Sequence, residues 1–272
     1  MPNKSFILFQ RHKFECGSDS IGSWSEPEID AELDAECALH GDCIRVDVVD
    51  VYRNLAHKVK AMYEWFLTNI PNTKWIVKAD DDAFVKFAPL QTYLRGLTDP
   101  KNGAIVGCIQ KAGMRVPKYG KWADKLYRFH PKHLRYPIWP RGSCGHAVNR
   151  PVAEYVANHD LKFYQVSRSL ALSLSFSLSL SGAVVLSLTH TLSSSRPLSL
   201  SLSLSFRQGE DVSLGIWMHE SPLNVQWINS ADEHFTWVYS KDVAKSCENP
   251  QLWMIGHQLT ELQIRACMRS LR

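Results

Sequence analysis

Trp75-Ile76-Val77-Lys78-Ala79-Asp80-Asp81-Asp82-Ala83-Phe84-Val85 sets three consecutive carboxylates between two apolar runs. A short run rich in aromatic and β-branched residues reads as a buried strand, which puts the acidic triplet at its C-terminal tip. In an open α/β sheet, ligands bind in the crevice outside such tips. Three adjacent carboxylates repel one another unless a cation or a hydrogen-bond network neutralises them. Asp80 and Asp82 are two residues apart, so along an extended chain they point the same way and can share one metal ion. Oxygen-only ligands suit a hard cation such as Mn²⁺ or Mg²⁺, typically one that also holds substrate phosphates. The competing reading, a solvated acidic turn, fits poorly with apolar residues on both sides.

Outward from this stretch, strands and helices alternate. Ile44–Val49 reads as a strand, Ala56–Phe66 as an amphipathic helix, Pro89–Leu97 as a helix and Ala104–Ile109 as a strand. Pro151–Asn158 and Val212–His219 read as helices, and the brief run Phe6-Ile7-Leu8-Phe9 as a strand. Asp50 and Asn54 bracket the start of the first helix as caps. The alternation predicts an α/β fold with a mostly parallel sheet and helices on both faces.

The chain has 272 residues, 45% of them hydrophobic, enough for a substantial core. Its net charge of +4 is spread out with no long Lys/Arg run, which gives no support for nucleic-acid binding. Seven cysteines form no CxxC pair, arguing against a zinc ribbon or thioredoxin-type site. Either Cys37–Cys43 or Cys247–Cys267 fits a disulfide in a secretory lumen, and an odd count leaves a thiol over; in a cytosolic chain the same residues would be small buried hydrophobes. The apolar run near the start is too short for a signal-peptide core or a membrane span.

Between 170 and 205, 25 of 36 positions are Leu or Ser, and no Asp or Glu occurs from Asp160 to Glu210. Strict Leu-Ser alternation would sort the two types to opposite strand faces. Yet the segment lacks hairpin turn residues, and its serines and His190 make it a poor membrane span. A repeated CT dinucleotide encodes Leu-Ser-Leu-Ser, so the stretch reads as repeat DNA rather than as part of the fold. If expressed, it is expected to be disordered or aggregation-prone.

Four stretches in register carry a resemblance. They are Val46 to Leu55 (with Tyr52 and Asn54) followed by Lys58, then Lys78 to Val85, then Lys121-Trp122 with Tyr136-Pro137 and Gly142-Ser143-Cys144-Gly145, and finally Gly209-Glu210-Asp211-Val212-Ser213-Leu214-Gly215. Together they resemble the β-1,3-galactosyltransferase family, which includes β-1,3-N-acetylglucosaminyl- and N-acetylgalactosaminyltransferases and is related to Fringe. The resemblance implies a GT-A fold, a Rossmann-like α/β domain. It also implies inverting transfer of a hexose from a UDP-sugar to a glycan acceptor on glycoprotein or glycolipid, with Mn²⁺, on the luminal side of the Golgi membrane. Asp80 and Asp82 match the DxD metal motif, with Asp82 as direct ligand, and Asp80 and Asp81 fall to the nucleotide sugar. Asp211 matches the catalytic base, and His257 a histidine that completes the metal site in relatives. Independently of the family, Glu210 and Asp211 are adjacent carboxylates at a helix N-terminus whose repulsion raises one pKa, while the helix dipole favours ionisation. Trp139 and His146 stand where aromatic residues are usual, and the glycine segment is one residue longer than the common pattern.

Family members begin with a cytoplasmic tail, a membrane anchor, a stem and a first strand, none of which is recognisable here, so an N-terminally truncated domain is expected. The expected division is 1–165 for nucleotide-sugar and metal binding, 166–208 for the low-complexity insert, and 209–272 for the acceptor and catalytic part. An inactive family member acting as a binding protein is the alternative. An aspartate-dependent phosphohydrolase would require a DxDx[TV] run, and Ala83-Phe84 follows the triplet instead.

Overall fold

The central strands are buried on both faces, so they lie inside the protein rather than on a half-solvated face. The computed structural model describes residues 7–10, 27–40, 44, 46–48, 54–80, 82–97, 102–119, 124, 127, 134–161, 209–231, 233–237, 243–256 and 258–270. The Leu/Ser stretch, Asp50, Tyr52, Asp81, Lys121, Trp122 and His257 lie outside them.

The chain opens with β1 (Ile7–Gln10), α1 (Pro27–His40) and α2 (Leu55–Asn69), then β2 (Trp75–Asp80), β3 (Phe84–Val85) and α3 (Phe87–Gly96). It continues through β4 (Ala104–Gly107), β5 (Ile109–Gln110), β6 (Trp139–Pro140), a 3₁₀ turn over Gly142–Cys144, β7 (His146–Asn149) and α4 (Arg150–Asn158). After the Leu/Ser stretch come α5 (Glu210–Glu220), β8 (Gln226–Asn229), β9 (Phe235–Trp237), α6 (Val243–Glu248), β10 (Met254–Gly256) and α7 (Glu261–Arg269). These elements all belong to one compact unit, Met1–Gln165 with Phe206–Arg272.

The main sheet has the order β1-β2-β7-β4-β8. β1 and β2 run parallel, as do β4 and β8, but β7 is antiparallel to both β2 and β4. The sheet is therefore mixed rather than mostly parallel. A parallel neighbour needs a crossover helix, whereas β7 is entered directly from the Gly142–Cys144 turn. The turn is possible because Gly145 takes φ +68°, and a Cβ there would lie 2.8 Å from the Lys78 carbonyl oxygen.

Alternation along the strands sorts the core onto two faces. Ile76, Ile105 and Val148 pack with Val59, Tyr63 and Phe66 of α2, Val152 and Val156 of α4, and Leu214 and Trp217 of α5. Val77, Val106 and Ala147 face the other way, toward Leu90 and Leu94 of α3 and toward Val85, Phe235 and Met254. Those last three belong to the second sheet, β3-β10-β9. Helices thus cover both faces, as expected from the alternating pattern.

The expected helices form, with ends within a few residues of those expected. The expected strand over Ile44–Val49 does not: Ile44 and Val46 pack on the core as non-strand residues, and Asp47-Val48 is a bend, with the Val48 amide donating to the Val46 carbonyl at 2.8 Å. That bond folds the chain back on itself and removes the ladder groups a strand requires. Asn54 is the N-cap of α2, but its side chain makes no capping bond. Cys247 and Cys267 form a disulfide joining α6 to α7, one of the two pairings expected, and Cys37 is also disulfide-bonded. Among the described residues no helix is long and apolar enough to cross a membrane.

α5 is buried on several sides at once, since Leu214 and Trp217 join the main core while Ile216 packs with Tyr136 and Trp139. Gly215 makes this possible: a Cβ there would lie 2.4 Å from the Trp139 Cβ and 2.6 Å from the Ile138 carbonyl oxygen. Helix propensity favours Gly→Ala by about 1 kcal/mol, but overpacking costs about 1–3 kcal/mol and here meets backbone. Gly215→Ala is therefore expected to lower stability by up to about 2 kcal/mol, read as an earlier midpoint in urea unfolding.

Candidate active site

Residues two apart on a strand share a side, so Lys78 and Asp80 lie on the Ile76 face of β2, toward α2 and α5. Lys78 is 1% exposed, and an ammonium there demands partners. It has two: its Nζ donates to Asp80 Oδ1 at 2.7 Å and lies 2.9 Å from Glu210 Oε1. Burial alone would push the lysine pKa down, but the Glu210 and Asp80 carboxylates outweigh it and hold the group above the ordinary lysine value. Glu210 responds in kind. Burial would raise its pKa, and the Lys78 charge and hydrogen bond reverse that, leaving it below the usual carboxylate value. His146 stands opposite Lys78 in the β2–β7 register, with neither buried ring nitrogen hydrogen-bonded. Burial, followed by the Lys78 charge, pushes it down to about 3, so it adds no second cation.

The neighbouring carboxylate behaves oppositely. Asp211 Oδ2 accepts from the Gly142 amide at 3.0 Å and its Oδ1 from the Val212 amide at 2.7 Å. These bonds stabilise the anion, yet burial first and the Glu210 charge second raise its pKa to about 6. Two adjacent carboxylates with diverging pKa values are the arrangement that separates a structural counter-ion from a proton acceptor. The expectation that repulsion lifts one of the pair thus holds, with burial as the larger cause.

Asp82 departs from its expected geometry. β2 ends at Asp80, and the Ala83 amide donates to the Asp80 carbonyl at 3.1 Å, closing a turn. The chain is therefore not extended through the triplet, and strand alternation does not place Asp80 and Asp82. Instead, Asp82 Oδ2 accepts from the Gln258 amide at 3.1 Å and its carbonyl from the Leu259 amide at 3.0 Å. Gln258 holds φ 66°, a left-handed conformation costing a non-glycine residue about 1–3 kcal/mol, a form of strain that clusters at functional sites. Asp81 and His257 lie outside the described residues.

The donor chemistry fits a hard cation held partly by substrate. Asp80 and Asp82 offer only oxygen, and among the described residues no group of three or more His, Cys, Asp or Glu could hold a metal. Two carboxylates completed by phosphate and water oxygens are the usual Mg²⁺/Mn²⁺ arrangement. The cleft of about 190 Å³ beside Glu64, Thr68, Arg150 and Glu154 belongs to α2 and α4 and contains none of these carboxylates.

A family model described as Galactosyltransferase matches residues 21–178, more than half of the chain. The chain belongs to the β-1,3-galactosyltransferase family. Over 108 residues it is 31% identical to rat UDP-GalNAc:beta-1,3-N-acetylgalactosaminyltransferase 1, covering 40% of this chain and 30% of that protein. Mouse lactosylceramide 1,3-N-acetyl-beta-D-glucosaminyltransferase is 28% identical over 148 residues, 53% of this chain and 36% of its own length. Beta-1,3-galactosyltransferase GALT1 of Arabidopsis thaliana is 33% identical over 138 residues, 50% of this chain and 20% of its own. The chain thus spans at most about a third of these family members. The family match ends before α5, so Glu210 and Asp211 join the site through the fold.

Sequence reasoning quoted Lys78 within the motif stretch but gave it no role. Its signal was present, a lone lysine inside an otherwise apolar strand between Trp75 and Ala79.

Because Asp211 is raised from 3.8 to about 6, the folded state binds a proton there that the unfolded chain has released. Stability contributed by that proton falls as pH rises from about 4 to about 6 and is constant above. Glu210, shifted down, works in the opposite sense at the acid end. The difference in melting temperature between Asp211→Asn and the parent should therefore shift in favour of the variant across pH 4–6 and then level off. A flat difference contradicts a raised Asp211.

Proposed function

We propose that this chain is an inverting β-1,3-hexosyltransferase of GT-A fold. It moves galactose, N-acetylglucosamine or N-acetylgalactosamine from a UDP-sugar to a hydroxyl of a glycan acceptor on glycoprotein or glycolipid. Family membership supports the reaction class, and the DxD pattern supports UDP-sugar and Mn²⁺. Action at the luminal side of the Golgi membrane agrees with the Cys247–Cys267 disulfide, which suits an oxidising compartment.

The observation that carries this reading is the convergence of strand β2 and helix α5. One buried ammonium joins Asp80 to Glu210, bringing Asp211 to the same end of the sheet. Asp80 and Asp82 would hold Mn²⁺, with His257 as a third ligand, and Asp80 and Asp81 would face the nucleotide sugar. When bound, the cation stabilises charge developing on the departing diphosphate. Asp211 accepts the acceptor hydroxyl's proton on one carboxylate oxygen as that hydroxyl attacks the anomeric carbon. A pKa of about 6 leaves Asp211 ionised at neutral pH yet more basic than an ordinary aspartate. The Gly142 and Val212 amides keep its oxygens oriented meanwhile.

Purified protein with Mn²⁺ and a panel of UDP-sugars should release UDP and form a β-1,3 product, seen by mass spectrometry and linkage analysis. Asp211→Asn should lower kcat about 10²–10⁴-fold, and Asp82→Asn should raise the Mn²⁺ concentration needed for half-maximal transfer. Unchanged transfer in either variant refutes its assigned role. The parent's kcat should fall about tenfold per pH unit below about 6, as the base becomes protonated.

A further inference from the structure

Lys78 stands between two groups with separate tasks in the proposed reaction. It takes Oδ1 of Asp80, a carboxylate of the metal motif, and Oε1 of Glu210, the neighbour of the base. Lys78 and Glu210 are buried, 1% and 8% exposed, and Asp80 at 14% is partly so. A cation so placed decides which carboxylate oxygens remain for other work. With Oδ1 bound to the ammonium, Asp80 keeps Oδ2 for other partners. Glu210 Oε1 is likewise committed to the ammonium.

We propose that Lys78 is a positioning residue that acts as a fixed internal counter-ion, confining a divalent cation to Asp82 and the outer oxygen of Asp80 and leaving Asp211 as the sole proton acceptor of its pair. This rests on the transferase reading above and adds to it an electrostatic link between the metal site and the base. Lys78 does not touch substrate; it acts through Asp80 and Glu210. His146, neutral beside it, leaves Lys78 as the one cation of this cluster among the described residues.

Charge compensation tests the idea in the purified chain, by titration with Mn²⁺ alone followed by electron paramagnetic resonance. Lys78→Met removes the cation and releases Glu210, so Mn²⁺ should bind about tenfold more tightly or better, while sugar transfer falls. Glu210→Gln leaves an excess positive charge and should weaken Mn²⁺ binding by a similar factor. The double variant, Lys78→Met with Glu210→Gln, restores the balance and should return Mn²⁺ affinity to near the parent's. A residue that merely packs would weaken binding in every variant, the double most of all, and that result overturns the proposal. If Lys78→Met alone does not fold, the loss in Glu210→Gln and its reversal in the double variant still decide. A parent that follows the cycle but transfers no sugar refutes the transferase reading alone. One that transfers sugar while the cycle is flat refutes the role of Lys78 alone. A parent that binds no Mn²⁺ refutes both.

Discussion

A buried ammonium shared by one buried and one partly buried carboxylate is the interaction on which the other features of this site depend. Removing either side from such an arrangement leaves an uncompensated charge in the core, at a cost of about 3–5 kcal/mol. An apolar residue at position 78 would have met the packing needs of β2 with less electrostatic demand. Lysine there ties β2 to the start of α5, with its Nζ 2.9 Å from Glu210 Oε1. Sheet–helix packing through Leu214 and Trp217 supplies most of the adhesion. The ion pairs supply the register.

The Gly142–Cys144 turn makes the same placement from the opposite side. Its first amide holds Asp211, and the residue following it, Gly145, lies against the Lys78 carbonyl. Strand β2, helix α5 and the second sheet therefore meet around a segment with almost no side-chain volume. This explains why β7 can run antiparallel in the middle of the sheet, since a strand entered from a tight turn needs no crossover helix. It also explains why Asp211 is raised while Glu210 is lowered. Asp211 faces backbone amides, which count less than its burial and its charged neighbour, whereas Glu210 faces a full positive charge.

Much of this was legible in the sequence, and for a physical reason. Periodicity reveals elements that bury one face, so α2, α4 and β2 could be placed to within a few residues, and the motif residues brought the two acidic clusters into one site. The Ile44–Val49 run failed because an apolar run does not reveal whether its backbone finds a ladder partner, and here local hydrogen bonding competes. The mixed sheet was missed because strand direction depends on the connection into β7, which has no hydrophobic signature. Alternation could not place Asp82, because it holds only while the chain stays extended and the Ala83 amide closes a turn onto the Asp80 carbonyl. Lys78 was visible as an anomaly but could not be assigned, since its second partner, Glu210, lies in a distant part of the chain.

The distance along the chain between Lys78 and Glu210 bears on how the molecule is made. Synthesis from β2 to the start of α5 occupies on the order of ten seconds at 5–20 residues per second. Throughout that interval Lys78 and Asp80 are already synthesised while the helix that covers them does not yet exist. Until α5 is made, the Lys78 ammonium has Asp80 but not Glu210 as a partner. Closure of the core over Lys78 is therefore a late event, and a nascent chain arrested before Gly209 would leave that ammonium without Glu210.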